Sequence, residues 1–266
     1  MISKPLLIRE SKANWKVLLI FIGVISLYGS VIVAMYDPKL GESLNMMAES
    51  MPGLFEAFGM SNPGANLLEF VGNYLYGFIL VVFPMIFLIL LSHRLVGRYV
   101  DRGSMAYLLA THNPRSKIIM TQAITLILAT LILVAYATLL VIVEGKLMFD
   151  EGIDIPVFLL VNVGLFGLLL FFASLNFLSS CLFQEARLAI GVGSGLSIAF
   201  VLIQMLSQVS DKVEALKYLT PMTLFQVKDI ISGSEGAMLG VGVLYGLSIV
   251  MFIAAILIFK RKDLSL

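Results

Sequence analysis

The chain has 266 residues, of which 59% are apolar and 13% charged, with a net charge of +1 and a mean hydropathy of +0.99. A water-soluble domain carries about 25% charged residues, so this composition excludes an ordinary soluble enzyme and points to a membrane protein. A single cysteine, Cys181, rules out a disulfide within the chain and any multi-cysteine metal site.

Lys4, Arg9, Lys12 and Lys16 precede the first apolar run. No small-residue cleavage site follows, so the run reads as a retained helix and not as a signal peptide. Residues 2–16 carry Ile2, Leu6, Leu7 and Ile8 among the charges and Trp15 near the interface. They form either an amphipathic interfacial helix or a loose basic tail.

Six segments are long and apolar enough to cross about 30 Å of hydrocarbon, at 17–35, 70–92, 118–143, 155–183, 188–209 and 237–259. Within these bounds no Asp, Glu, Lys, Arg or His occurs. The short alternating stretches of a β-barrel are absent. The expected fold is therefore an all-α, single-domain membrane protein of six transmembrane helices over residues 1–266.

The connectors are informative. Residues 37–69 exceed a simple link; Pro52 starts a helix bearing Leu54, Phe55 and Phe58, Gly59 ends it, and Asn62-Pro63-Gly64 turns the chain into the second span. Between spans two and three, Ser104 caps a short helix carrying Tyr107, Leu108 and Leu109, which Asn113-Pro114 terminates. This helix is either a partner-docking element or a surface helix held on headgroups by Arg94, Arg98 and Arg102. Before span six, residues 220–233 place Leu224, Val227, Ile230 and Ile231 at helical spacing, forming with the 52–58 helix either a lid or an interfacial anchor.

Orientation follows from the basic residues. With the N-terminus inside, 13 of 18 Lys and Arg lie in inner segments, the five outside being Lys39, Lys146, Lys212, Lys217 and Lys228. The positive-inside rule then puts both termini in the cytoplasm. Of the 17 acids, 13 fall outside.

Motifs for chemistry are missing. GxxxxGK[ST], HExxH and GxSxG do not occur, so the chain lacks a phosphate-cradling loop of its own. His93 and His112 stand 19 residues apart without a ligand partner at helical spacing, and no metal site is expected. Uncharged spans argue against an ion-coupled carrier, which keeps ionisable residues in the membrane. Gln204 and Gln208, one helical turn apart on span five, either line a path or join helices by hydrogen bonds. Gly191/Gly195, Gly236/Gly240, Gly242/Gly246 and the Gly23, Ser26, Ser30, Ala34 face permit close helix packing.

Taken together, Asp101-Arg102-Gly103-Ser104, Leu108-Leu109-Ala110-Thr111, Arg115-Ser116-Lys117 and the Phe259-Lys-Arg-Lys-Asp263-Leu264 ending resemble ABC-2 type permeases, membrane-spanning subunits of bacterial ABC exporters. One departure is His112 where that family often has proline, with Pro114 two residues on. The resemblance implies a homo- or heterodimer in the bacterial plasma membrane, bound to two separate ATP-binding subunits that carry ATP and Mg. No cofactor is expected on this chain and no nucleic-acid partner.

It further implies that 101–115 (Asp101, Arg102, Gly103, Ser104, Tyr107, Leu108, Leu109, Thr111 and Arg115) docks on the ATPase as a coupling helix. Gln184, Glu185 and Arg187 would make a lesser coupling contact, residues 2–16 an interfacial elbow helix, and 220–233 short re-entrant helices. An apolar conduit favours an amphipathic or hydrophobic cargo, above all amphipathic antimicrobial or toxin peptides. The rival readings are a secondary carrier and a non-transporting immunity or sensor scaffold.

Overall fold

The structure is a computed structural model describing residues 2–36, 46–47, 49–58, 66–101, 114–149, 152–209 and 211–261. All regular structure among these residues is helical. The six long helices are α1 (Lys4–Ala34), α3 (Leu67–Gly97), α4 (Arg115–Met148), α5 (Ile155–Leu182), α6 (Ala186–Val209) and α8 (Glu235–Arg261). Each is long and apolar enough to span a membrane, and each contains most or all of one of the segments expected from the sequence. Between them lie α2 (Pro52–Ala57), α7 (Val227–Ile231) and two 3-10 segments, Asp211–Leu219 and Pro221–Leu224. We call the end of the bundle holding the N-terminus proximal and the other end distal.

The second and fourth spans form the core. In their most apolar windows 61% of α3 and 56% of α5 is buried, against 22–39% for the other four. α5 packs on α3, α4, α6 and α8, while α1 lies on α3 and α4. The outward faces of α1, α6 and α8 are aliphatic, with Leu19, Ile20, Leu27, Leu202, Leu239 and Val250 exposed. In a bilayer such side chains meet lipid, which is as apolar as they are.

Two features of the second span shape the distal end. Leu75–Ile79 forms a π-helical turn, in which the Leu80 N–H reaches back to Leu75 O. Pro84 follows within the helix, where it removes a backbone donor. Tyr76, inside the turn, donates to Asn162 Oδ1 of α5 at 2.8 Å, so the irregular turn is fixed against the central helix.

Span one extends further than the sequence reading allowed. Residues 4–34 form one helix with Pro5 in its first turn, an entry proline tolerates. An elbow turned away from the span is not part of this helix.

The segment leading into span six is wedged onto the bundle by glycines. A Cβ at Gly240 would stand 2.7 Å from the Leu224 carbonyl oxygen, and one at Gly164 2.8 Å from the Phe225 ring. Gly240→Ala is therefore expected to cost about 1–3 kcal/mol by forcing the Pro221–Leu224 segment off α8, read as a lowered unfolding temperature in detergent. At Gly242, on a face where an added Cβ meets nothing within 4 Å, alanine should be neutral.

Candidate functional site

A cleft of about 680 Å³ opens at the distal end between α3 and α6. Gly72, Asn73, Tyr76, Gly77 and Val81 of the second span form one wall. Gln204, Ser207 and Gln208 of the fifth span form the other. These wall residues are uncharged. The charged residues at the cleft, Glu56, Glu214, Lys217, Lys228 and Asp229, all come from the short distal elements. The result is a hydrogen-bonding, uncharged recess with a mixed-charge rim.

A relay of side chains holds the rim in place. Thr220 donates from Oγ1 to Gln204 Oε1 at 2.7 Å, and Gln204 is only 7% exposed. With the Gln208 amide oriented to satisfy its surroundings, Gln204 Nε2 donates to Gln208 Oε1 at 3.2 Å. Gln208 Nε2 then donates to the carbonyls of Glu56 and Ala57, each at 3.0 Å. Those carbonyls lie in the last turn of α2, beyond its last i→i+4 bond from Phe58 N–H to Leu54 O. One pair of glutamines thus ties α2 and the 211–224 segment to the fifth span. The sequence left them as path lining or as helix glue; they border the cleft and are also hydrogen-bonded.

At the rim, Lys217 and Glu214 pair at 2.6 Å. The hydrogen bond from Lys217 and its charge hold the Glu214 carboxyl below its usual range, and the same pairing raises the Lys217 ammonium. Both groups stay charged near neutral pH.

Of the expected coupling residues, those that the structure describes fall at the opposite end. Arg102, Gly103, Ser104, Tyr107, Leu108, Leu109 and Thr111 lie outside the described residues. Asp101 ends the short helix that continues α3, and Arg115 begins α4. Gln184, Glu185 and Arg187 are exposed where α5 passes into α6, at the same proximal end. The distal cleft and these residues are therefore separated by the length of the bundle.

Two carboxylates were missed by the sequence reading because both lie outside its span limits. Glu144, one residue past the third segment, belongs to α4 and accepts a hydrogen bond from Ser30 of α1. Ser26 and Tyr136 share a second bond across the same interface, at 2.6 Å. Glu10, read as part of a basic terminus, is completely buried and accepts from the Tyr99 hydroxyl at 2.6 Å. Its signal was the buried series Ser3, Leu6, Glu10, Asn14, which follows helical period.

Fold and cleft together define a six-span, all-helical, multi-pass membrane protein. Over residues 30–265 the chain matches the family described as "Protein of unknown function (DUF2705)", and it belongs to that family. No curated protein and no solved structure shows a significant match to it.

Proposed function

We propose that this protein is the permease subunit of an ATP-driven ABC exporter of the bacterial plasma membrane. It would form the translocation path for an amphipathic substrate, best matched by an amphipathic peptide. The observation that carries the reading is the distal cleft, with an uncharged amide- and hydroxyl-lined wall beneath a charged rim. Such a wall satisfies the polar backbone of a peptide without a fixed charge in the membrane, and the bundle's apolar surfaces accept its other face. The resemblance of the 101–117 and C-terminal motifs to ABC-2 permeases adds the energy source: ATP and Mg on two separate subunits bound at the proximal end. There 101–115 and the exposed Gln184, Glu185 and Arg187 would be the coupling contacts.

A second permease copy, identical or homologous, completes the assembly in this reading. Gly191 and Gly195 suit its seam, since an added Cβ at either meets nothing within 4 Å among the described residues. Residues 2–16 would meet the proximal headgroups through Arg9, Lys12 and Lys16, all exposed. The 52–58 and 220–233 elements serve as a lid that the glutamine relay latches.

An ion-coupled carrier is the second reading, favoured by Glu144 alone. That residue lies near the distal end of α4 and is absent from the cleft wall, so it gives an ion no route through the recess.

The orientation is tested by thiol labelling in a Cys181→Ser background. Glu49→Cys and Asp150→Cys should react with an impermeant reagent on intact cells, Arg102→Cys and Ser265→Cys only after permeabilisation. Labelling of Arg102→Cys on sealed cells would reverse the topology.

A further inference from the structure

The first three turns of α1 turn Ser3, Leu6, Glu10 and Asn14 toward the bundle while Arg9, Lys12 and Lys16 stay exposed. Two long-range hydrogen bonds leave this buried stripe. The Ser3 N–H donates to Thr121 Oγ1 at 3.0 Å, within the second turn of α4. The Tyr99 hydroxyl donates to Glu10 Oε1 at 2.6 Å, from the short helix Arg98–Asp101 at the end of the second span. One helix face therefore grips the chain at Tyr99, three residues before 102, and again at Thr121, eight residues after 113.

The chemistry at the grip is unusual for mere packing. A fully buried carboxylate is costly in an apolar setting, and apolar residues of similar volume usually replace such groups without loss of stability. What a carboxylate–phenol bond adds is direction: an apolar contact slides, whereas this bond fixes one side chain against the other. Burial, then the bond to Glu10 and the charge of Glu10, push the Tyr99 phenol above its ordinary value, while Arg9 and Arg98 pull it the other way. The hydroxyl therefore keeps its proton and goes on donating at neutral pH.

We infer that Glu10 and Tyr99 are positioning residues for energy coupling: with Ser3 and Thr121 they fix both flanks of residues 102–113 to α1, so a displacement imposed there is carried into the first span. The inference rests on the exporter reading, in which 101–115 meets the ATP-binding subunit. It makes the N-terminal turns of α1 part of the coupling unit and not only a membrane anchor.

The test uses the full-length chain with its co-purified ATP-binding subunit in proteoliposomes, measuring ATP turnover and transport of a labelled amphipathic peptide together. Tyr99→Phe removes one oxygen, and Glu10→Ala removes the acceptor. Both should move about tenfold less peptide per ATP hydrolysed, at unchanged amounts of assembled complex. Glu10→Gln retains an acceptor and should stay within about twofold of the parent. Should Glu10→Ala fail to accumulate, Glu10→Leu replaces it, keeping the volume without the acceptor, and is compared with Glu10→Gln. An unchanged ratio in Tyr99→Phe, or a Glu10→Leu ratio equal to that of Glu10→Gln, overturns the inference while leaving the exporter reading intact. Failure of the parent chain to bring down any ATP-binding subunit overturns that reading, and the coupling role with it.

Discussion

Replacing Gln204 and Gln208 together by leucine is expected to lower peptide-stimulated ATP turnover of the assembled transporter about tenfold or more. The change takes from Thr220 Oγ1 its acceptor on the fifth span, leaving it the Lys217 carbonyl at 3.0 Å, and takes the Gln208 donor from the last carbonyls of α2, at Glu56 and Ala57. Each lost bond is worth about 0.5–1.5 kcal/mol, and toward the low end at Gln208, whose side chain is exposed. The short distal elements should therefore loosen by about 1–2 kcal/mol, visible as faster hydrogen exchange over 52–57 and 211–224. The same change removes both amides from the cleft wall, so a cargo loses its partners there. Gln208→Glu separates the two effects: it keeps an acceptor for Gln204 but places a carboxylate against carbonyls. It should loosen α2 while leaving the Thr220–Gln204 bond. A peptide response equal to the parent's in the double leucine variant would reduce both residues to packing.

The second large effect is expected at the proximal end. Leu108→Asp and Gly103→Pro should each release the ATP-binding subunit, or leave it bound without peptide stimulation, while the permease still inserts. A carboxylate in an apolar contact is unfavourable by several kcal/mol, and proline removes a backbone donor and clashes with the preceding turn. Co-purification and transport at parent levels in both variants would make 101–115 a segment that rests on lipid.

Long-range order was the least legible part of this chain. The six spans could be read from hydropathy alone because each must bury its backbone polar groups within itself, and all six helices appear in the expected places. Pro52 at the start of α2 and the helix over 227–231 were likewise visible from local rules. Gln204 and Gln208 were recognisable as a pair by their spacing. Their partners were not: Glu56 and Ala57 lie some 150 residues earlier in the chain, and no periodicity connects them. The glycines show the same limit. A Cβ at Gly240 would meet the Leu224 backbone, while one at Gly191 or Gly195 would meet nothing within 4 Å among the described residues, although all three fit the same small-residue pattern. On α1 the pattern split too, since Ser26 and Ser30 bond to the third span whereas Gly23 faces open space.

The two hidden carboxylates have a physical explanation. Span limits drawn at the first charge assume that charges stay in water, but helices run on past the hydrocarbon edge and bury acids against neighbours that hydrogen-bond them. Glu10 does so with Tyr99 and Glu144 with Ser30. Basic neighbours at Arg9 and Lys12 disguised the first, and the position next to an assumed span end disguised the second.

Isolation of the full-length chain from its native membranes tests the central claim most directly, followed by measurement of ATP turnover against a panel of amphipathic peptides, sugars and inorganic ions. The exporter reading predicts that an ATP-binding subunit accompanies the chain and that peptides, but not sugars or ions, raise its turnover several-fold. A chain that comes down without any ATP-binding subunit, or a complex that responds to sugars and not to peptides, would contradict it.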